Sequence, residues 1–202
     1  MEEELITRWK QGDRAAFDEM YQRYAAKGMR MAYMISGNHA DAEDIVQETF
    51  VKCFCSITGL KENDKFQSWF YTVLTRTAWR ICRKQKREQP QEDISVCLEQ
   101  VQYAMRDDRK AEYTEQRILQ KETAGELREL LEQLPVKQRT TVILYYYNEL
   151  STKEIAQVLG CFEGTVKSRL FTARKCLREL YDRRQQKEPI QNKDSILEDS
   201  YS

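Results

Sequence analysis

The hydroxyl and basic side chains between Thr165 and Lys175 are suited by type and spacing to reading nucleic acid. Lysine and arginine bind phosphates, and basic and hydroxyl side chains also hydrogen-bond to base edges. Four apolar residues repeat at spacings of four, three and four through the same stretch, which predicts a helix with one buried side. The candidate DNA-binding residues are Thr165, Lys167, Ser168, Arg169, Phe171, Thr172, Arg174 and Lys175.

A short helix and a turn precede this segment and must position it. Ser151 is a suitable N-cap, and Glu154 stands three residues later at the capping-box position. Gly160 tolerates the positive φ with which such a helix ends. A short helix, a glycine-bearing turn and a basic second helix together indicate a helix-turn-helix. The alternative is an ordinary helical hairpin with a solvated basic face.

A second basic run lies between Arg76 and Arg87, where six Lys or Arg residues occur without an acid. Like charges on one helix end repel each other, and a phosphate backbone is the simplest partner that would offset this. Apolar residues from Trp69 to Ile81 are predicted to form the buried side of the same helix.

Acidic and amide residues form a third pattern, on a helix predicted from Asp41 to Phe54 with Asn38 as its N-cap. The apolar residues of this helix, including Val51 and Phe54, are predicted to be buried. The acidic and amide residues could form a binding surface, and the alternative is an ordinary solvated acidic face. The predicted outer stripe consists of Asp41, Asp44, Gln47 and Glu48.

The composition limits the classes of protein that remain. Glycine and proline are scarce, with 7 and 3 residues, and patterns of period two are hard to find, which favours an all-α chain. The first residues are not of signal-peptide type and no run could span a bilayer, so we expect a cytoplasmic protein without membrane insertion. The 6 cysteines are then expected to be reduced thiols.

No chemistry of a catalytic or metal-binding kind is predicted. Cys53 and Cys55 form a C-x-C pair, but the only histidine, His39, has no second ligand pair near it. The chain has no glycine-rich phosphate loop and no nucleophile and base in a recognisable pattern. We therefore expect no metal, no cofactor, no small-molecule substrate and no enzymatic activity.

Two segments resemble a known family. GCFEGTVKSRLFTARKCL resembles the promoter-reading segment of bacterial sigma factors of the extracytoplasmic function (ECF) group, in the sigma-70 family, with Phe162 where the usual form has proline. DAEDIVQETF matches the segment by which sigma factors bind the clamp of core RNA polymerase. The two segments stand in the order expected for that family.

The resemblance implies a role for each set of residues. Asp41, Asp44, Gln47 and Glu48 would bind core RNA polymerase, and the helix-turn-helix residues would read the minus-35 element of promoter DNA. An anti-sigma factor is the further partner that the family implies. The residues expected at the minus-10 element are Lys65, Phe66, Arg76, Arg80, Arg83 and Lys84.

The predicted architecture is all-α, with two small helical domains joined by a linker. Residues 1–88 form the first domain, and residues 123–182 form a four-helix domain containing the helix-turn-helix. The linker, 89–122, could reach roughly 110 Å when fully extended. Residues 183–202 are expected to be a disordered tail.

Two alternative functions follow from the same residues. One is a stand-alone helix-turn-helix transcriptional regulator, which would bind duplex DNA tightly without polymerase. The other is a cysteine-based metal or redox sensor.

Overall fold

A computed structural model describes residues 2–88 and 124–187. The predicted linker, most of the predicted tail and Met1 lie outside the described residues. The described ranges are helical and contain no strand, which confirms the all-α prediction. They form an N-terminal unit of four helices and a C-terminal unit that contains the predicted helix-turn-helix.

The N-terminal unit is built on three long helices and a short first one. Asp13 caps α2 by accepting from the backbone N–H groups of Ala15 and Ala16. The apolar residues from Phe17 to Ile35 lie on this one continuous helix. The helices are α1 Glu2–Lys10, α2 Arg14–Ser36, α3 His39–Ser56 and α4 Phe66–Glu88.

Aromatic packing holds α2, α3 and α4 together. Phe70 of α4 is fully buried, and its ring lies 5.1 Å from that of Tyr24 and 5.4 Å from that of Phe50. A Cβ on Gly28 would lie 3.3 Å from Phe70 Cζ, so glycine permits the close approach of α2 and α4. The rigid core formed in this way fixes the directions of the outer faces of α3 and α4.

The C-terminal unit contains α5 Ala124–Glu132, α6 Val136–Val142, α7 Thr152–Leu159 and α8 Glu163–Lys187. After Val142, α6 widens into a π-helical turn over Ile143–Tyr147. Val166, Leu170 and Ala173 of α8 are buried, which confirms the predicted apolar stripe. Helix α8 continues to Lys187, five residues past the predicted start of the tail.

The two units contact each other through α2 and α4 on one side and α5, α6 and α7 on the other. Trp79 Nε1 donates to Thr140 Oγ1 at 2.9 Å, and Arg30 Nε donates to Tyr147 Oη at 2.5 Å. Arg139 of α6 is buried, and burial lowers the pKa of its guanidinium. These contacts between distant parts of the chain could not be read from local sequence patterns.

Glu149 follows the π-helical turn with φ of 56°, in the left-handed region that side chains other than glycine rarely occupy. We expect Glu149→Gly to raise the free energy of unfolding by about 0.5–1 kcal/mol, because glycine removes the local strain. Glu149→Ala is the control, since it also removes the glutamate side chain beyond Cβ but keeps the backbone strain. Urea unfolding of the three proteins tests this, and equal shifts for both variants would contradict it.

Candidate nucleic-acid and protein interfaces

The turn between α7 and α8 is fixed by local caps. The Ser151 side chain accepts from the Glu154 backbone N–H, and the Glu154 carboxylate accepts from the Ser151 backbone N–H, which confirms the capping box. The Ser151 hydroxyl also donates to the Glu154 carboxylate at 2.6 Å, and this bond, together with the one from the Ser151 backbone N–H, holds the pKa of Glu154 below its ordinary value. Gly160 adopts φ of 62° and ψ of 44°, as predicted for the end of α7.

The first turns of α8 present a polar face to solvent. Lys167, Ser168 and Lys175 are exposed, and Phe171 is half-buried between them. They follow one another at positions i, i+1, i+4 and i+8, so they share one side of the helix. Lys167 Nζ lies 3.0 Å from Glu163 Oε1, and this pairing lowers the pKa of Glu163. We call Lys167, Ser168, Phe171 and Lys175 the α8 face.

The other four predicted DNA-binding residues of α8 are half-buried. Arg174 Nε donates to Tyr146 Oη at 3.0 Å, and its guanidinium lies over the rings of Tyr145 and Tyr146 at 5.7 Å and 5.8 Å. Arg169 Nη1 lies 3.9 Å from Cys161 Sγ, and Thr172 Oγ1 donates to the Ser168 carbonyl at 3.0 Å. The Thr165 side chain makes no hydrogen bond within residues 2–88 and 124–187. Arg174 therefore takes part in packing within the unit.

Phe162 is a candidate contact that the predicted set omits. Its carbonyl accepts from the backbone N–H groups of Thr165 and Val166, so it serves at the start of α8. Its side chain is 87% exposed, which is unusual for an aromatic residue. The sequence signal was its place in the turn, immediately before the basic helix.

Helix α4 carries its basic residues in one row. Arg76, Arg80, Arg83 and Lys84 are all exposed and occur at positions i, i+4, i+7 and i+8. Trp69 lies on the same line seven residues before Arg76 and is half-buried, so its predicted place on the buried side is only partly right. We call Trp69, Arg76, Arg80, Arg83 and Lys84 the α4 row.

Phe66, predicted at the minus-10 element, is instead buried in the core. Its ring lies 5.1 Å from that of Tyr24 and 5.8 Å from that of Trp9. Helix α1 supplies Trp9, so a non-local contact removes Phe66 from the surface. Lys65 beside it is exposed, with its Nζ 3.7 Å from Asp64 Oδ2 and 3.8 Å from Glu62 Oε2.

The connection between α3 and α4 is anchored to α1. Lys10 Nζ donates to the Leu60 carbonyl at 2.5 Å and to Asn63 Oδ1 at 2.6 Å. Asn63 Nδ2 donates to Thr7 Oγ1 at 2.8 Å. The connection contains two 3-10 turns, Ile57–Gly59 and Asn63–Lys65. The connection is thus held at a fixed place beside the start of the α4 row.

The outer stripe of α3 differs from the predicted one at its start. Asp41 is buried, and its Oδ2 accepts from Asn38 Nδ2, so the predicted exposure of Asp41 is wrong. Asp44 and Gln47 are exposed. Glu48 is half-buried, with Oε1 2.6 Å from Lys52 Nζ and Oε2 paired with Arg80. Asn38 caps α3, as predicted, by accepting from the Asp41 backbone N–H, so Asp41 pairs with the cap residue instead of facing solvent.

The outer stripe of α3 continues with apolar residues that were predicted to be buried. Val51 is 61% exposed and Phe54 is 54% exposed, so the prediction that both are buried is wrong. Tyr21 of α2, 43% exposed, lies near them, with its ring 4.6 Å from that of Phe50. Asp44, Gln47, Val51 and Phe54 follow at spacings of three, four and three. We call these four residues the α3 stripe.

The two cysteines of the C-x-C pair, Cys53 and Cys55, lie in different environments and do not form one metal-binding site. Cys53 is buried, which raises the pKa of its thiol to about 12, whereas Cys55 is exposed. In the part of the chain that the structure describes, no group of three or more His, Cys, Asp or Glu residues is placed to hold a metal ion. Within residues 2–88 and 124–187, no helix has the length and apolar composition needed to cross a membrane.

Both units match known protein families. Residues 20–88 match the family Sigma-70 region 2, and residues 124–177 match the family Sigma-70, region 4. The first match contains the α3 stripe and the α4 row. The second contains α7 and the α8 face.

Two relatives are similar to this chain along most of their own length. An ECF RNA polymerase sigma factor, SigW of Bacillus subtilis, is 30% identical over 174 residues, which cover 86% of this chain and 93% of SigW. The ECF RNA polymerase sigma-E factor of Haemophilus influenzae is 32% identical, over 86% of this chain and 91% of the relative.

Solved structures share the fold. CnrH, solved in complex with the cytosolic domain of CnrY, aligns with a TM-score of 0.63 at 20% identity, over 90% of this chain and 97% of CnrH. RpoE of Bartonella quintana, solved with the anti-sigma factor NepR, aligns with a TM-score of 0.61 at 23% identity, over 82% of this chain and 96% of RpoE.

Proposed function

The chain belongs to the ECF RNA polymerase sigma factors of the sigma-70 family, and from this premise we propose which of its surfaces performs each task. As a sigma factor it directs core RNA polymerase to specific promoters and initiates transcription. In the proposal, the α3 stripe binds core polymerase, the α4 row with Lys65 contacts the minus-10 element, and the α8 face with Phe162 reads the minus-35 element.

The contrast between α3 and α4 is the observation that carries this assignment. The α3 stripe combines an acid with exposed Val51 and Phe54, which is the mixed chemistry of a protein interface. The α4 row is basic and carries one half-buried aromatic side chain, which suits phosphates and an unstacked base. Two neighbouring helices of one unit thus have surfaces for two different partners.

The distance between the promoter elements requires the two units to separate on DNA. From minus-35 to minus-10 is about 85 Å along B-form DNA, at 3.4 Å per base pair. Helix α7 contacts both α4 and α8, so the axes of α4 and α8 lie within about 20 Å of each other. The linker, with a reach of roughly 110 Å, is long enough for the separated arrangement.

An anti-sigma factor is a proposed partner of this chain, because RpoE of Bartonella quintana, which shares the fold, was solved in complex with the anti-sigma factor NepR. The place of action would be the cytoplasm, where the polymerase is found. In this proposal the chain works by binding alone, since sigma factors regulate initiation and the enzyme supplies the catalysis.

Run-off transcription tests the proposed function. Core polymerase and the purified chain are incubated with genomic fragments, and transcript starts are mapped. We expect transcripts that require both proteins, with shared sequence elements upstream of their starts. Transcripts that appear equally without the chain would refute the function.

Replacing the acid and the amide of the α3 stripe by lysine should weaken the binding of core polymerase. We expect Asp44→Lys with Gln47→Lys to cost about 1–2 kcal/mol of binding free energy, since exposed charges at an interface contribute modestly. Both residues are exposed, so the fold should not change. Competition for core against the parent chain measures this. Gln157→Lys with Asp182→Lys, at exposed sites elsewhere, should compete like the parent.

Two basic residues of α8 should behave differently. Lys167→Ala is expected to weaken minus-35 binding by the holoenzyme by about 1–3 kcal/mol if Lys167 contacts base edges. Arg174→Ala should instead lower the free energy of unfolding by about 1 kcal/mol, because Arg174 stacks on two tyrosines. Binding to matched and altered minus-35 duplexes, with urea unfolding, separates the two effects. Loss of minus-35 discrimination in Arg174→Ala would place Arg174 on the DNA.

A further inference from the structure

An apolar cavity of about 280 Å³ opens on the C-terminal unit beside α2. One water needs only roughly 10–15 Å³, so the cavity can admit side chains. Its walls are formed by Leu127 and Leu131 of α5, Ile143 of the π-helical turn and Leu177 of α8, and Met34 of α2 closes one side. Apolar surface of this kind is more stable when covered than when exposed to water.

The rim of the cavity is basic. Arg178 is exposed at the edge, one turn after Arg174, which is held by Tyr146. Apolar side chains followed by carboxylates would therefore complement both the walls and the rim.

We propose that the C-terminal segment of this same chain, residues 194–202, fills the cavity. Its sequence, DSILEDSYS, contains adjacent Ile196 and Leu197, followed directly by Glu198 and Asp199. The segment has three acids and no lysine or arginine. Ile196 and Leu197 enter the cavity, and the two acids that follow them lie at Arg178.

Chain length permits this return. Lys187 lies nine positions after Arg178, a distance of about 14 Å along α8. Nine further residues lead from Lys187 to Ile196 and can span up to about 30 Å. Pro189 is disfavoured inside a helix, so the sequence favours a change of direction soon after Lys187.

The end of α8 also lies on the correct side. Arg184 forms an ion pair with Glu129 of α5, so α8 runs beside a wall of the cavity up to this point. Helix α8 therefore ends close to the cavity. A tethered segment has an effective concentration in the millimolar range, so even weak contacts can keep it docked.

The inference concerns the free chain and does not rest on the proposed contacts with polymerase or DNA. Its test is photo-crosslinking of the full-length chain, with p-benzoylphenylalanine in place of Leu197. We expect an intramolecular crosslink to peptides of α5, α8 or the end of α2, with a yield that does not change on dilution. The same group in place of Gln191 is the positional control and should give a lower yield at these peptides.

The charges provide an independent check. Arg178→Glu should reduce the yield roughly two- to fivefold, as expected for loss of exposed ion pairs. Glu198→Lys with Asp199→Lys, added to Arg178→Glu, should restore it. The tail changes alone should also reduce the yield, and they lie outside the described fold, so the test stands even if Arg178→Glu disturbs folding.

Other occupants give distinct outcomes. A crosslink between two chains that grows with concentration would identify a second copy as the occupant and overturn the proposal. Equal yields from positions 197 and 191, a crosslink only outside the cavity, or no crosslink in the isolated chain would also overturn it. A yield unaffected by every charge change would remove the assigned contact with Arg178.

Discussion

Val51→Asp together with Phe54→Asp is expected to weaken the binding of core polymerase by about 2–4 kcal/mol, on the order of 100-fold. Exposed apolar side chains are the part of the α3 stripe most suited to a buried interface centre, and placing carboxylates there would bury unpaired charges on binding. Their exposure of 61% and 54% means that the fold should tolerate both changes.

The measurement is competition between the variant and the parent for a limiting amount of core polymerase. Phe162→Asp is the matched control, because it converts another exposed aromatic to the same acid at a distant turn. It should bind core as the parent does in the absence of DNA. Parent-like competition by the α3 variant, with its helical circular dichroism intact, would show that the stripe is only solvated surface.

The second large effect is the dependence of promoter recognition on core polymerase. We expect the chain alone to bind promoter duplex weakly and not to open it. The contacts between the two units must break before both elements can be reached, and ordering the separated units on DNA costs further free energy. Equal numbers of acidic and basic residues, 33 each, give no net attraction to DNA.

Core polymerase should change this outcome by holding the units apart at a fixed spacing. The second DNA contact then becomes effectively intramolecular, which can raise avidity by 10²–10⁴, as an order-of-magnitude estimate. Footprinting and permanganate reactivity on one promoter, with and without core, provide the test. Strong protection of both elements or reactive thymines with the chain alone would favour the stand-alone regulator.

Local signals predicted the helix-turn-helix well. Ser151, Glu154 and Gly160 act through hydrogen bonds and backbone angles within one or two turns, and the structure confirms each of them. The buried stripe of α8 also follows from local periodicity, which a single sequence displays directly.

The structure differs from the sequence-based predictions where residues distant in the chain determine the environment of a side chain. Phe66 is buried because Trp9 and Tyr24 enclose it, and Arg174 bonds to Tyr146, 28 residues away. Val51 and Phe54 were predicted to be buried because they are apolar, but apolar residues also occupy much of a protein surface. Their helical spacing from Asp44 would have placed them outside.

The ion pair between Glu48 and Arg80 joins α3 to the α4 row, and it gives the two proposed binding events a reciprocal relation. Any polymerase contact that draws Glu48 away leaves Arg80 without that anion and readier for a phosphate. By thermodynamic reciprocity, DNA held at Arg80 then favours polymerase on the α3 stripe, beside Glu48, by the same factor. Because both side chains are partly exposed, the factor is modest, about two- to fivefold. Such a contact would act as a fine adjustment of cooperativity between the two partners.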